Sequence, residues 1–303
     1  MPTVIHGPRY NRRVTCDTNP ENARSESDIA VNPRDPYNMV GASKRFTDLA
    51  SYAFSLAAYA TFDGGQTWTE TVLPLTDTDG RTYPSTTDPA VIFDDQGNVY
   101  VVALPWQGET GPNSGQTIGI SVYRSSDGGR SWGAPTLIHA STTDDKQAVW
   151  SDTTGGAHNG YVYAAWDDTS GSGAMLFART TDHGATWKGI TVGGVDQPAG
   201  TAIPGIFDSF SPEITVAADG TLIIVWAPEG GDNVQLVTSI DGGASFSGPV
   251  VVASGITNLY GGLPMPYGWP VFPGASFRVI TYGTDTTSGS HLVVVWADVR
   301  EGV

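Results

Sequence analysis

Charged side chains recur at corresponding places along this 303-residue chain. Lys44, Arg45 and Asp48, then Trp106 and Glu109, Asp167 and Asp168, Glu229 and Asp232, and finally Asp298, Arg300 and Glu301 each follow an apolar run. Arg24, Glu26, Asp28, Asp88, Asp145, Lys146, Asp208 and Glu213 each precede one. Paired carboxylates can work as general acid and base, and a guanidinium grips an anion through parallel hydrogen bonds. Ordinary solvated loops with local ion pairs are the competing account of the same residues.

The elements that must position these groups follow from a repeat. Residues 61–68 (TFDGGQTW), 125–132 (SSDGGRSW), 180–187 (TTDHGATW) and 239–246 (SIDGGASF) align without gaps. The shared pattern is Ser/Thr-x-Asp-x-Gly-x-Ser/Thr-aromatic, with its aspartates at Asp63, Asp127, Asp182 and Asp241. A turn explains it. The carboxylate accepts backbone N–H groups, the glycine takes φ > 0, the hydroxyl bonds locally and the aromatic returns to the core. These four aspartates are therefore expected to be structural.

Before each such turn stand two β-branched runs joined by turn residues, as in Asp88–Ala103 and Pro212–Trp226. They predict hairpins. A fifth, looser copy is Phe277–Tyr282 followed by Leu292–Trp296. Four strands per repeat, at this period, predict an all-β fold, a β-propeller of four-stranded blades. The expected blades cover roughly residues 25–75, 87–139, 145–193, 208–254 and 268–303 of a single domain spanning 1–303, with 1–24 as a closing strand region. Two counts stay open: a six-bladed propeller with its last blade incomplete, or a five-bladed one.

Strand alternation puts the hairpin turns and the repeat turns on one face. The connections from strand two to three, and from blade to blade, share the other, and variable loops on a rigid scaffold commonly carry function. Two connections there are long, Gly189–Phe210 and Gly255–Ser276. Tyr260, Tyr267 and Trp269 in the second would offer flat faces to a sugar ring, or else pack the loop onto the blades. Trp166, Trp226 and Trp296 recur at the ends of second strands, as inter-blade packing would require.

Composition narrows the function classes. With 15 Lys+Arg against 31 Asp+Glu the formal charge is −16, so a phosphate backbone is repelled and nucleic acid is not the expected partner. No apolar run is long enough for a membrane-spanning helix. The start of the chain lacks the pattern of a signal peptide, and a secreted or cell-surface location is expected with that signal absent from this chain. One cysteine, Cys16, excludes an intrachain disulfide and cysteine-rich zinc sites. No cofactor is indicated. Asp77-Thr-Asp-Gly80 is a fragment of a calcium loop without its remaining ligands, and the five histidines show no ligand spacing, so no metal is expected.

The four repeated turns are similar to Asp-boxes (BNR repeats), and residues 25–300 resemble the sialidase superfamily of propellers. The resemblance implies an exo-glycoside hydrolase acting on terminal sugars of glycans, its site on the face opposite the Asp-boxes. It implies Asp48 as acid/base and Glu213 as the group that activates a nucleophile. Arg24 or Arg45, with Arg278 and Arg300, would hold an anionic substrate; by their loop positions, not by the resemblance, Asp168, Tyr267 and Trp269 are expected as further substrate contacts. The chain departs from that family where Arg24-Ser-Glu-Ser-Asp28 replaces the Arg-Ile-Pro motif, and where no arginine follows Glu213 in blade four. A non-catalytic propeller binding a glycan or a protein is the alternative.

Overall fold

The computed structural model describes residue 14 and residues 23–108, 115–169, 171–228, 230–259, 263–266, 270–274, 278–288 and 291–299. Apolar β-branched runs bounded by glycine and aspartate turns form antiparallel sheets throughout. The first sheet contains β1 (Arg24–Val31), β2 (Met39–Asp48), β3 (Ala53–Thr61) and β4 (Thr69–Val72), in chain order. The second contains β5 (Ser85–Phe93), β6 (Val99–Trp106), β7 (Gly119–Ser125) and β8 (Thr136–Ala140). The third is built on β9 (Asp144–Ser151), β10 (Val162–Asp168), β11 (Met175–Thr180) and β12 (Lys188–Val192). The fourth contains β15 (Glu213–Val216), β16 (Leu222–Trp226), β17 (Asn233–Ser239) and β18 (Val250–Ser254). A last hairpin pairs β19 (Gly283–Ser288) with β20 (His291–Trp296).

Adjacent sheets pack face to face. Val40, Leu56 and Ala58 of the first meet Val99, Val101 and Tyr123 of the second. Further shared cores join sheets two and three around Trp166, and three and four around Trp226, both fully buried. Leu292, Val294 and Trp296 of β20 close onto Val225 and Val234 of the fourth sheet. First strands sit beside first strands: Val91 N donates to Asp28 Oδ2 at 2.7 Å, linking β5 to β1. This is the β-propeller arrangement, with the first strands lining a central channel.

The four repeated turns share one hydrogen-bond pattern. In the second, Ser125 Oγ donates to Asp127 Oδ1 (2.7 Å) while accepting Gly129 N (2.9 Å), Ser131 N donates to Asp127 Oδ1 (2.9 Å), and Ser131 Oγ donates to Asp127 Oδ2 (2.5 Å). Gly129 stands at φ 94°, and a Cβ there would meet Val40 Cγ2 at 2.6 Å, so both backbone and space demand glycine. Asn38 Nδ2, at the β1–β2 turn, donates to Gly128 O at 3.0 Å. Hairpin turns and repeat turns thus share a face, as alternation requires.

Two segments differ from expectation. Residues 189–210 are not a structureless connection: β13 (Val195–Pro198) pairs with β12, and β14 (Thr201–Ala202) pairs with β11. The first strand of the last hairpin is Gly283–Ser288, not Phe277–Tyr282. The Thr/Ser-rich 283–288 run reads as polar, yet its alternation suits a half-exposed strand against β20.

Candidate functional site at the channel mouth

The inner strands are interrupted at matching places. Pairing slips between Ser25 and Asp28 in β1, between Thr87 and Ala90 in β5, and opposite β9 between Ala165 and Asp167. At these bulges Glu26 (φ 54°), Asp88 (51°) and Lys146 (57°) are left-handed, and Ser211 (51°) joins them just before β15. Left-handed non-glycine residues cost on the order of 1–3 kcal/mol each and persist where surrounding structure imposes them. Bulges of this kind re-aim side chains beside active sites. All four residues line one cavity of about 890 Å³ that also touches Asp28, Glu213, Arg278 and Tyr282.

Glu26 and Asp88 form a hydrogen-bonded carboxyl pair. Burial, then the bond to Glu26 and its charge, raise Asp88 above the ordinary aspartate value. Burial opposes the charge on Glu26, but the bond from Asp88 and the Lys44 ammonium hold it below its ordinary value. The pair therefore behaves as one unit that keeps a single proton up to about pH 6. The Thr87 hydroxyl serves as donor to it, 3.0 Å from Glu26 Oε2 and 2.6 Å from Asp88 Oδ1. Lys44 Nζ stands 3.7 Å from Glu26 Oε2, over the ring of Phe54 at 4.1 Å and that of Tyr52 at 4.8 Å. Lys146 pairs with Asp145 at 3.2 Å; burial works against its charge, and Asp145 and Asp88 more than restore it.

Across the cavity, Glu213 has no such partner. Burial, then the charges of Asp285 and Asp28, push it up to about 7. Asp285 is itself raised to about 6 by burial, and neither of its carboxylate oxygens has a hydrogen-bond partner. Behind the mouth, Asp167 accepts Ser209 Oγ and Ser211 N, both at 2.6 Å, and burial pushes it up to about 7. This carboxyl fixes the left-handed Ser211 just before β15.

The sequence candidates divide by place. Glu213 and Arg278 line the channel cavity. Asp48 instead closes an exposed turn: Ala50 N donates to its Oδ1 at 2.8 Å and Ser51 Oγ to its Oδ2 at 2.5 Å. Arg24 and Arg45 are cross-strand partners. Arg24 Nε donates to Tyr59 OH at 2.6 Å, and Glu70 takes Arg45 Nε at 2.9 Å and Arg24 Nη2 at 3.4 Å. Neither arginine lines the channel cavity. Asp168 organises its own loop, accepting Thr143 Oγ1 at 2.5 Å and Ser172 N at 2.7 Å. Tyr260, Tyr267, Trp269 and Arg300, and with them Glu109, Glu229 and Glu301, lie outside the described residues. Asp285 and Ser211 escaped the sequence argument, since nothing in a Thr/Ser-rich run or a Ser-Pro step marks a channel position.

Asp77 is a turn carboxylate, taken by Asp79 N, Arg81 N and Tyr83 OH at 2.7–3.0 Å. Among the described residues Asp94, Asp95 and His183 offer ligand atoms within 4.8 Å of one another. Asp94 is already filled by Gln96 N, Asn98, Tyr100 OH and His183 Nδ1, and His183 Nε2 meets Gln96 at 2.8 Å, so the group works as a clamp between blades two and three. No helix among the described residues is long and apolar enough to cross a membrane.

No protein-family model matches the chain, and no curated protein matches it. Solved structures do. A protein of unknown function from Dyadobacter fermentans aligns over 88% of this chain and 76% of its own, with TM-score 0.56 and 16% identity. The leech intramolecular trans-sialidase aligns over 95% of this chain and 63% of its own (TM-score 0.56, 14% identity). The intramolecular trans-sialidase of Ruminococcus gnavus aligns over 91% and 84% (TM-score 0.55, 13% identity). The chain spans 48% of the length of another match, a Hadza microbial sialidase. The fold is therefore an all-β propeller of the sialidase type; at these identities the likeness reaches no further than the fold.

Proposed function

We propose that this chain is an Asp-box propeller that hydrolyses the glycosidic bond of a terminal sugar of a glycan, as a secreted or cell-surface protein. The observation that carries the proposal is that four left-handed residues, Glu26, Asp88, Lys146 and Ser211, the first three at bulges, line one cavity. Strain at these four places is kept where it serves a site. Perturbed carboxyls in a cleft add to the case.

In this scheme Glu213, which holds its proton up to about pH 7, gives it to the leaving-group oxygen as the C–O bond breaks. Water adds at the anomeric carbon and its proton passes to the singly charged Glu26–Asp88 pair. Lys44 keeps that negative charge on the pair. Two carboxyl sites with pKa values driven apart are the usual division between acid and base.

The test is hydrolysis of fluorogenic glycosides by the purified protein. Glu213→Gln and Asp88→Asn are each expected to lower kcat/KM by at least about 100-fold. Asp48→Ala is expected to retain activity. Loss of activity in Asp48→Ala as well as in Glu213→Gln would restore the assignment that the family resemblance implies. One observation favours a glycan-binding propeller instead: Arg24 and Arg45 are tied to Glu70, away from the channel cavity. Sugar binding without turnover by a folded protein would decide for that alternative.

A further inference from the structure

A second cavity of about 440 Å³ opens beside the channel, and the two share Glu26, Asp88, Lys146 and Arg278. The proposed reacting carboxyls therefore stand at a junction. The side cavity is lined by Tyr52, Phe54, Leu104 and Trp106 together with Thr117 and Thr143. Its volume admits one sugar ring with a few waters.

The charges around it are largely engaged. Lys44 is held by Glu26 and the aromatic rings, Lys146 by Asp145, and Asp144 by His139 at 2.7 Å. Among the described residues Arg278 is the one arginine lining either cavity. A sugar carboxylate needs guanidinium forks to replace its hydration. Here, among the described residues, it would meet a single arginine and, beyond the junction, Asp28 and Glu213. A ring bearing only hydroxyl or acetamido groups suits the lining of this cavity: aromatic side chains, threonines and carboxylates.

We infer that the site takes an uncharged terminal sugar, a neutral hexose or N-acetylhexosamine seated in the side cavity, and not a sialic acid or uronic acid. The inference rests on the glycan reading of the same site.

Two measurements separate their failures. One is turnover of matched fluorogenic hexosides, N-acetylhexosaminides, glucuronide, sialoside and a free-amine hexosaminide. The other is ligand-observed NMR binding of the methyl glycosides and of free sialic acid to Glu213→Gln. At least one neutral sugar is expected to exceed every charged one by about tenfold or more in rate or binding. Neutral sugars bound without turnover would end the hydrolase proposal and keep this one. Preference for a sialoside, a uronide or the free amine, or no sugar bound at all, would overturn it. Asp145→Asn, which releases Lys146, should narrow the preference over anionic sugars several-fold; an unchanged ratio on a folded variant would count against the charge argument.

Discussion

At the scale of single residues, the channel mouth concentrates carboxyls that the protein keeps protonated above their ordinary range. Glu213 moves from 4.5 to about 7 on burial beside Asp285 and Asp28. A raised acid contributes stability that is complete below its unfolded value and is lost as pH rises through its folded value. Between about pH 4.5 and 7, ionising Glu213 therefore works against the fold. Glu213→Gln removes that titration, and its Tm should fall less than the wild-type Tm across this window, by a few degrees at pH 8. Equal slopes in a pH series of thermal melts would refute the assignment. The same proton sets the alkaline limb of activity. Turnover should decline as pH rises through about 7, and the limb should vanish from the residual activity of Glu213→Gln. Much of this was hidden in the sequence. Glu213 stands before an apolar strand and is legible as a channel residue, but Asp285 sits 72 residues away in a run that looks like surface.

Among elements, the repeated turns and the bulges show opposite degrees of legibility. The turn closes on itself: Asp127, Ser125 and Ser131 lie within seven residues and satisfy one another. Local chemistry of that kind is written in order along the chain, so the repeated turns are legible from residue types and their spacing. Asp127→Ala would leave Ser131 N and two hydroxyls without their acceptor in a turn that also abuts Asn38. A loss of about 1–3 kcal/mol is expected, read as a lower denaturation midpoint with unchanged m-value. No change in stability would show that water replaces the carboxylate without cost. The bulges have no such signature. Glu26, Asp88 and Lys146 have no common side-chain type or flanking residues, and only the slipped register between neighbouring strands makes them equivalent. His183 shows the limit of the turn pattern as well. It holds φ 56° where the other three turns have glycine, and is retained there by its contact with Asp94 at 3.0 Å.

Over the whole molecule, stability resides between sheets. Each blade buries one face on the next, and Trp166 fills the space between the second and third sheets at zero exposure. Trp166→Ala should cost about 3–5 kcal/mol. Trp166→Phe should cost clearly less, because it keeps most of the volume and removes an indole N–H that has no partner. Melting temperatures for the pair test this, and equal losses would place the indole's role elsewhere than packing. The sequence by itself determined the repeat, the all-β class, the four structural aspartates and the acidic character, because each depends on neighbours in the chain or on a simple sum. It also predicts strand ends at the channel, and of those Glu26, Asp88 and Glu213 line the cavity while Arg24 and Asp48 do not. The tertiary structure decided which of those end groups meet. Arg24 and Arg45 turn to Glu70, and Asp48 turns to its own loop. Glu26, Asp88, Lys146 and Glu213 share a cavity because four separate blades bring them there. Convergence of that kind depends on how far each blade is rotated against the next, a quantity set by side-chain packing between sheets and by no single segment of the chain.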